Sequence, residues 1–196
     1  MTAITLKSPV LERLTDEEFY QLCMDNRDLR IERDSKHQIS FMPPTNSETG
    51  ASNSEINYQL AHWNRQHELG KTFDSSAGFT LDTGAMLSPD ASWIAGEKWK
   101  ALSADDRRGF ARICPDFVVE LLSPTDRLTD TMRKMEHWLE AGARLGWLIA
   151  PNTESVYIFE PGQPVRPVVG FDQELVAGPL LPGFALELRR LRFNGQ

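Results

Sequence analysis

The chain has 196 residues, 40% hydrophobic and 25% charged, with a formal net charge of −7. That length and composition describe one globular domain with a sizeable core, and no apolar run is long enough to span a membrane. The negative charge opposes any partner held by a long basic stripe and predicts modest affinity for nucleic acid, whose binding rests largely on neutralised phosphates.

Met1 to Pro9 is too short and too polar for a signal peptide. Cys23 and Cys114 stand alone, without a CxxC pair or a matching His, and read as small core residues in a reducing cytoplasm. Thr15-Asp-Glu-Glu18 opens a first helix: Thr15 caps it, Glu18 reaches back as the capping-box partner, and Leu14 staples against Phe19. Residues 28–33 and 37–43 form a hairpin around Asp34-Ser35-Lys36, and the polar stretch Thr45 to Asn53 reads as a loop. A second helix is expected from about Ser54 to Leu69, with Ile56, Leu60, Trp63 and His67 on one face and Gly70 closing it. Strands follow at 77–83 and 86–94. Residues 96–112 are charged and form a short helix or a long excursion.

The next strand, 116–122, is central, because both its faces are apolar except at Glu120. Ser123-Pro124-Thr125-Asp126 turns into a third helix over 127–142, with Leu128, Met132, Met135 and Leu139 buried and Gly142 at its end. Trp147-Leu-Ile149 is a short buried strand, 156–159 an outer one, and 165–192 short strands and turns. Helices and strands mix without strict alternation, which gives an α+β or mixed α/β class in a single domain.

Chemistry concentrates in Pro115-Asp-Phe-Val-Val-Glu120-Leu-Leu-Ser-Pro124 and in Ser88-Pro89-Asp90. Side chains alternate along a strand, so Val118, Glu120 and Leu122 share one face, and an ionised carboxylate there needs a cation or a donor. Asp116 is four residues away, ~13 Å at strand rise, too far to share a metal with Glu120. Asp90, with Ser92 and Ile94 on its face, is the better partner. Lys134 falls within about 40° of Trp138 on the helical wheel and points at the carboxylates if the third helix packs beside Glu120. Two carboxylates suit Mg²⁺, or Mn²⁺, which takes hard oxygen ligands and activates water against a phosphodiester. Glu32 in a strand and Glu55 in the first turn of the second helix are possible helpers. Each residue also has a plain alternative: Glu120 as a core acid paired with a base, Asp90 as a turn residue, Lys134 as a solvated lysine, and Glu55 as a helix-dipole acid. His62 and His67 read as ordinary, partly buried residues.

On these residues the chain resembles the Uma-two family of restriction endonuclease-like proteins, within the PD-(D/E)XK nuclease superfamily. Further matches are Trp138, Ala141-Gly142, Trp147 to Pro151, and the strand Arg30-Ile-Glu32-Arg-Asp. The resemblance implies a restriction-endonuclease-like core, a mixed central sheet flanked by helices. It implies a Mg²⁺-dependent endonuclease acting on DNA, with Asp90 as first acid and Glu120 as second. Leu122 stands at the motif's usual lysine position, and the family supplies Lys134 from the following helix instead. Glu55 matches an acid near the start of the second helix, and cutting by pairs of chains implies a homodimer. The rival expectation is a catalytically inert binding or assembly protein of the same fold, with 96–112 as its self-association surface.

Overall fold

The computed structural model describes residues 4–192; the N-terminal reading begins on residues 1–3, which lie outside them. Elements run β1 (Ile4–Leu6), α1 (Asp16–Asp25), β2 (Arg30–Arg33), β3 (Ile39–Met42), α2 (Ser47–His67), β4 (Gly70–Asp74), β5 (Phe79–Thr80), β6 (Met86–Leu87), β7 (Ala91–Ala95), α3 (Gly96–Ala101) and β8 (Ala111–Arg112). Then follow β9 (Phe117–Leu121), α4 (Leu128–Glu140), β10 (Leu145–Ala150), β11 (Ser155–Phe159), β12 (Arg166–Val169), β13 (Glu174–Val176) and β14 (Ala185–Glu187). The class is mixed α/β, as expected.

Two six-stranded sheets organise the chain. One has the order β1-β3-β2-β6-β5-β8, the other β12-β11-β10-β9-β7-β4. In the second sheet β9 runs parallel to β10 and antiparallel to β7, so it is the central strand its sequence announces. Phe117, Val119 and Leu121 face one core, with Ile56, Leu60 and Trp63 of α2 and Phe184, Leu186 and Leu188 of the tail. Val118 faces the other, with Met135 and Trp138 of α4, Phe79 and Leu87 of the first sheet, and Leu81 just after β5. The capping box Thr15–Glu18 is present, and Leu14 packs in the cluster around Phe19. No helix among the described residues is long and apolar enough to cross a membrane.

Several expectations need correction. Residues 47–53 are helix, not loop: Asn46 caps α2 by accepting from Thr49 N at 2.8 Å. The buried face Ile56–Leu60–Trp63 continues backwards through Thr49 and Ser52, side chains too small and polar to register as a hydrophobic stripe. Glu55 therefore sits in the body of α2 and not in its first turn. The helix ends at Glu68, in the left-handed conformation at φ 53°, and Gly70 instead opens the unforeseen β4. The single strand expected over 86–94 is two, β6 in one sheet and β7 in the other, broken at Ser88-Pro89-Asp90. The strand expected over 77–83 shortens to β5. β11 is not outer: it is paired on both sides and largely buried, and β12 is the edge. On α4, Trp138 and Met135 are the fully buried pair, while Leu128, Met132 and Leu139 pack at the margin. His62 and His67 are exposed.

Gly70 is required by close approach. A Cβ there would lie 2.2 Å from the Ile94 carbonyl oxygen and 2.5 Å from Trp93 Nε1. Asn64 locks the same backbone, donating to Gly70 O at 3.0 Å and accepting from Gly70 N at 3.1 Å. Gly70→Ala must part β4 from β7, and we expect it to lower stability by about 1–3 kcal/mol, the usual penalty of overpacking, read as a drop in melting temperature.

Candidate functional site

The break between β6 and β7 builds the site. With Ala91 opposite Val119 and Ser92 opposite Val118, the next position outward sets Asp90 against Glu120. Asp90 N donates to Val119 O at 3.0 Å, and Asp90 Oδ2 accepts from Leu121 N at 2.8 Å, so the carboxylate itself continues the ladder. The Asp90 carbonyl turns away and accepts from Asn57 Nδ2 of α2 at 2.9 Å.

Glu32 reaches the same place from the other sheet. Its Oε1 accepts from Ser88 N at 3.2 Å and from Lys134 Nζ at 2.9 Å. Lys134 rises from α4 between the sheets, and its Nζ also lies 3.0 Å from Glu120 Oε1 and donates to Ser88 O at 3.1 Å. Trp138, one turn along α4, donates from Nε1 to Glu120 Oε1 at 2.9 Å. Arg30 completes the group, with Nη1 3.3 Å from Asp90 Oδ1 and Nη2 2.6 Å from Ser88 O. The carboxylates of Glu32, Asp90 and Glu120 thus meet the cations Lys134 and Arg30 and leave an excess of one negative charge.

Burial pushes Glu120 up to about 7, and the charges of Asp90 and Glu32 add to the rise, against Lys134 and Arg30. For Lys134, burial opposes the charge, but Glu120 and Glu32 outweigh it and hold the ammonium above its ordinary range. Lys134 is therefore a fixed cation at neutral pH. It can orient a water or hold a phosphate, but it has no lone pair with which to deprotonate one.

Asp90, Glu120 and Lys134, singled out from the sequence, come together, and so does Glu32. Glu55 does not: it lies on the opposite flank of α2 from Asn57, where it accepts from Gln59 Nε2 at 2.9 Å and lies 3.8 Å from Arg190 Nε. Asp116 is buried apart from the cluster, accepting from Ala95 N at 2.9 Å and Lys98 Nζ at 3.2 Å. Sequence reasoning missed Arg30, Trp138 as a donor, and the Ser88 carbonyl. Arg30 had one available signal: it stands two residues from Glu32 on a strand and so on the same face.

Among the described residues no group of three or more His, Cys, Asp or Glu side chains is arranged to hold a metal ion. Mg²⁺ needs fewer, since it keeps several waters and takes one or two carboxylates together with phosphate oxygens. Asp90 and Glu120, hard oxygen donors at opposed positions in a cluster with excess negative charge, fit that requirement.

The Uma2 family model, described as "Putative restriction endonuclease", matches residues 16–189. No curated protein matches the chain. Among solved structures, a protein of Anabaena variabilis described as a "putative nuclease belonging to DUF820" superimposes with a TM-score of 0.74 at 21% identity, covering 91% of this chain and 97% of that one. At that identity the likeness is one of fold, and it agrees with the nuclease-like core expected.

Proposed function

This chain belongs to the Uma2 family of putative restriction endonucleases, and from that premise we propose that it is a Mg²⁺-dependent endonuclease that hydrolyses phosphodiester bonds in DNA. One observation carries the proposal: Asp90, one position before β7, is bonded to Val119 O and Leu121 N on either side of Glu120, and a buried Lys134 ammonium reaches Glu120 and Glu32 together. Asp90 and Glu120 hold the divalent cation, Mg²⁺ or Mn²⁺. Bound there, the cation supplies a Lewis acid that polarises a phosphoryl oxygen and makes water a better nucleophile. Lys134 orients that water or contacts the scissile phosphate. Glu32 fixes Lys134, and Trp138 fixes Glu120. Glu55 is left outside the proposal. Double-strand cutting by two chains makes a homodimer part of it.

The test is plasmid DNA incubated with purified protein and Mg²⁺ or Mn²⁺, wild type beside Asp90→Ala and Glu120→Ala. We expect metal-dependent nicking that both substitutions abolish. Cleavage at the wild-type rate in either variant would sink the assignment.

A second reading, an inert binding or assembly protein, is favoured by one observation. All four carboxylate oxygens of Asp90 and Glu120 already accept from protein donors: Arg30, Leu121 N, Trp138 and Lys134. It predicts no heat of Mn²⁺ binding to the wild-type protein by calorimetry, and measurable binding would exclude it.

A further inference from the structure

Arg30 is the most accessible member of the charge cluster. Its side chain is 34% exposed, against 15% for Asp90, 16% for Lys134, 5% for Glu32 and 6% for Glu120. It is also the most loosely held. Its carboxylate contacts are long, 3.3 Å to Asp90 Oδ1 and 3.6 Å to Glu32 Oε1, and its one short bond, 2.6 Å, goes to the neutral Ser88 carbonyl. Its Nε is buried without a partner. Lys134, by contrast, has Glu32, Glu120 and Ser88 O all between 2.9 and 3.1 Å.

We propose that Arg30 is the resident counter-cation of the cluster, standing on Asp90 until a divalent cation displaces it. The inference rests on the metal-dependent reading above. Charge supports it. Glu32, Asp90 and Glu120 with Lys134 alone carry −2, which a divalent cation matches; with Arg30 also in place the cluster carries only −1. Burying both Arg30 and the metal against Asp90 would leave an uncompensated positive charge in a poorly solvated site. Arg30 has a way out, because its side chain is the most exposed of the cluster although its Nε is buried. Once released it stays beside the site as a planar, permanently charged fork, the geometry that recognises phosphate. Arg30 is thus a positioning residue in the metal-free protein, and it keeps Asp90 from standing uncompensated beside Glu120.

The experiment is a calorimetric titration with Mn²⁺ of the wild type, Arg30→Gln and Arg133→Gln. The last removes one exposed positive charge from α4 and controls for the general field. If Arg30 occupies Asp90 nine-tenths of the time, removing it tightens apparent Mn²⁺ affinity about tenfold. We expect that gain in Arg30→Gln, a gain no larger than about threefold in Arg133→Gln, and a crystal structure with Mn²⁺ in which Arg30 has left Asp90. Unchanged or weaker affinity in Arg30→Gln, or an Arg30 still on Asp90 with the metal bound, overturns the inference and leaves the nuclease reading intact. Absence of Mn²⁺ binding in both wild type and Arg30→Gln overturns the metal-dependent reading and the inference with it. Should Arg30→Gln fail to fold, Arg30→Lys serves: a single ammonium cannot hold Asp90 and Ser88 O as the fork does, and unchanged affinity there counts against displacement equally.

Discussion

Glu120→Gln will raise the melting temperature of the metal-free protein at pH 8 by about 2–12 °C while it removes the metal-dependent cleavage proposed above. Burial moves Glu120 from its ordinary 4.5 up to about 7, so the folded state holds that proton more tightly than the unfolded chain does. The stability linked to that proton is complete below pH 4.5 and is lost as pH rises through 7. At pH 8 the wild type therefore carries the whole penalty of a buried carboxylate in a cluster with excess negative charge. Gln keeps the shape, keeps an acceptor for Trp138 Nε1, and brings the cluster to neutrality. The difference is on the order of 1–3 kcal/mol, since one pKa unit corresponds to about 1.4 kcal/mol and relaxation absorbs part of it. For a chain of this length each kcal/mol moves the midpoint by roughly 2–4 °C. The same comparison at pH 4 should show no gain, because the wild-type carboxyl is then protonated in both states. Cleavage should fall by more than the roughly 10–100-fold that loss of an outer-shell partner costs. A lower midpoint at pH 8 would mean that pairing with Lys134 outweighs desolvation. The opposed effects on stability and activity are what a site held under strain for function shows when that strain is relieved.

What the sequence disclosed about this cluster follows from how local each signal is. Glu120 is legible because five consecutive residues of β9 are buried, and the one charge among them stands out. Asp90 and Lys134 are legible because strand and helix periodicity fix the face each occupies once β9 is known. The capping box of α1 lies within four residues and is read directly. Glu32 was legible only as an acid in a strand, and Arg30 not at all, because the contacts that bring them to the cluster are long-range: that from Lys134 of α4 to Glu32 spans 102 positions, and that from Arg30 to Asp90 spans 60. No periodicity reports which sheets meet. The break at Ser88-Pro89-Asp90 was hidden for a related reason. Met86 and Leu87 on one side and Ala91, Trp93 and Ile94 on the other are all apolar and buried, so one largely apolar run serves two sheets. Proline is the physical mark of the transition, since it has no N–H to give a ladder. The start of α2 was misread because Thr49 and Ser52 fill the buried stripe without being hydrophobic, and that error misplaced Glu55 by two turns of helix.

Lys134→Met will be the most destabilising substitution in the cluster, lowering stability by about 3–5 kcal/mol, the usual result of removing one partner of a buried ion pair. Met preserves most of the methylene packing against the α4 side of the core, so the loss isolates the ammonium. Glu32 and Glu120, both under 10% exposed, then face each other with only Arg30 nearby, whose contact with Glu32 is long at 3.6 Å and whose short bond goes to Ser88 O. Removing the ammonium also removes the charge that most restrains the rise of the Glu120 pKa, so that pKa climbs further. The sign of the pH dependence follows. Protonation of Glu120 relieves the variant, and its deficit against wild type should shrink as pH falls from 8 to 5, monitored by thermal melts across that range. The double variant Glu120→Gln with Lys134→Met should be much less damaged than the two single effects sum to, because the ammonium no longer has Glu120 to neutralise. A coupling of about 0.5–3 kcal/mol is the scale for residues in one network. A deficit independent of pH, together with additivity in the double variant, would assign the contribution of Lys134 to the packing of its methylenes and leave its charge without a structural role.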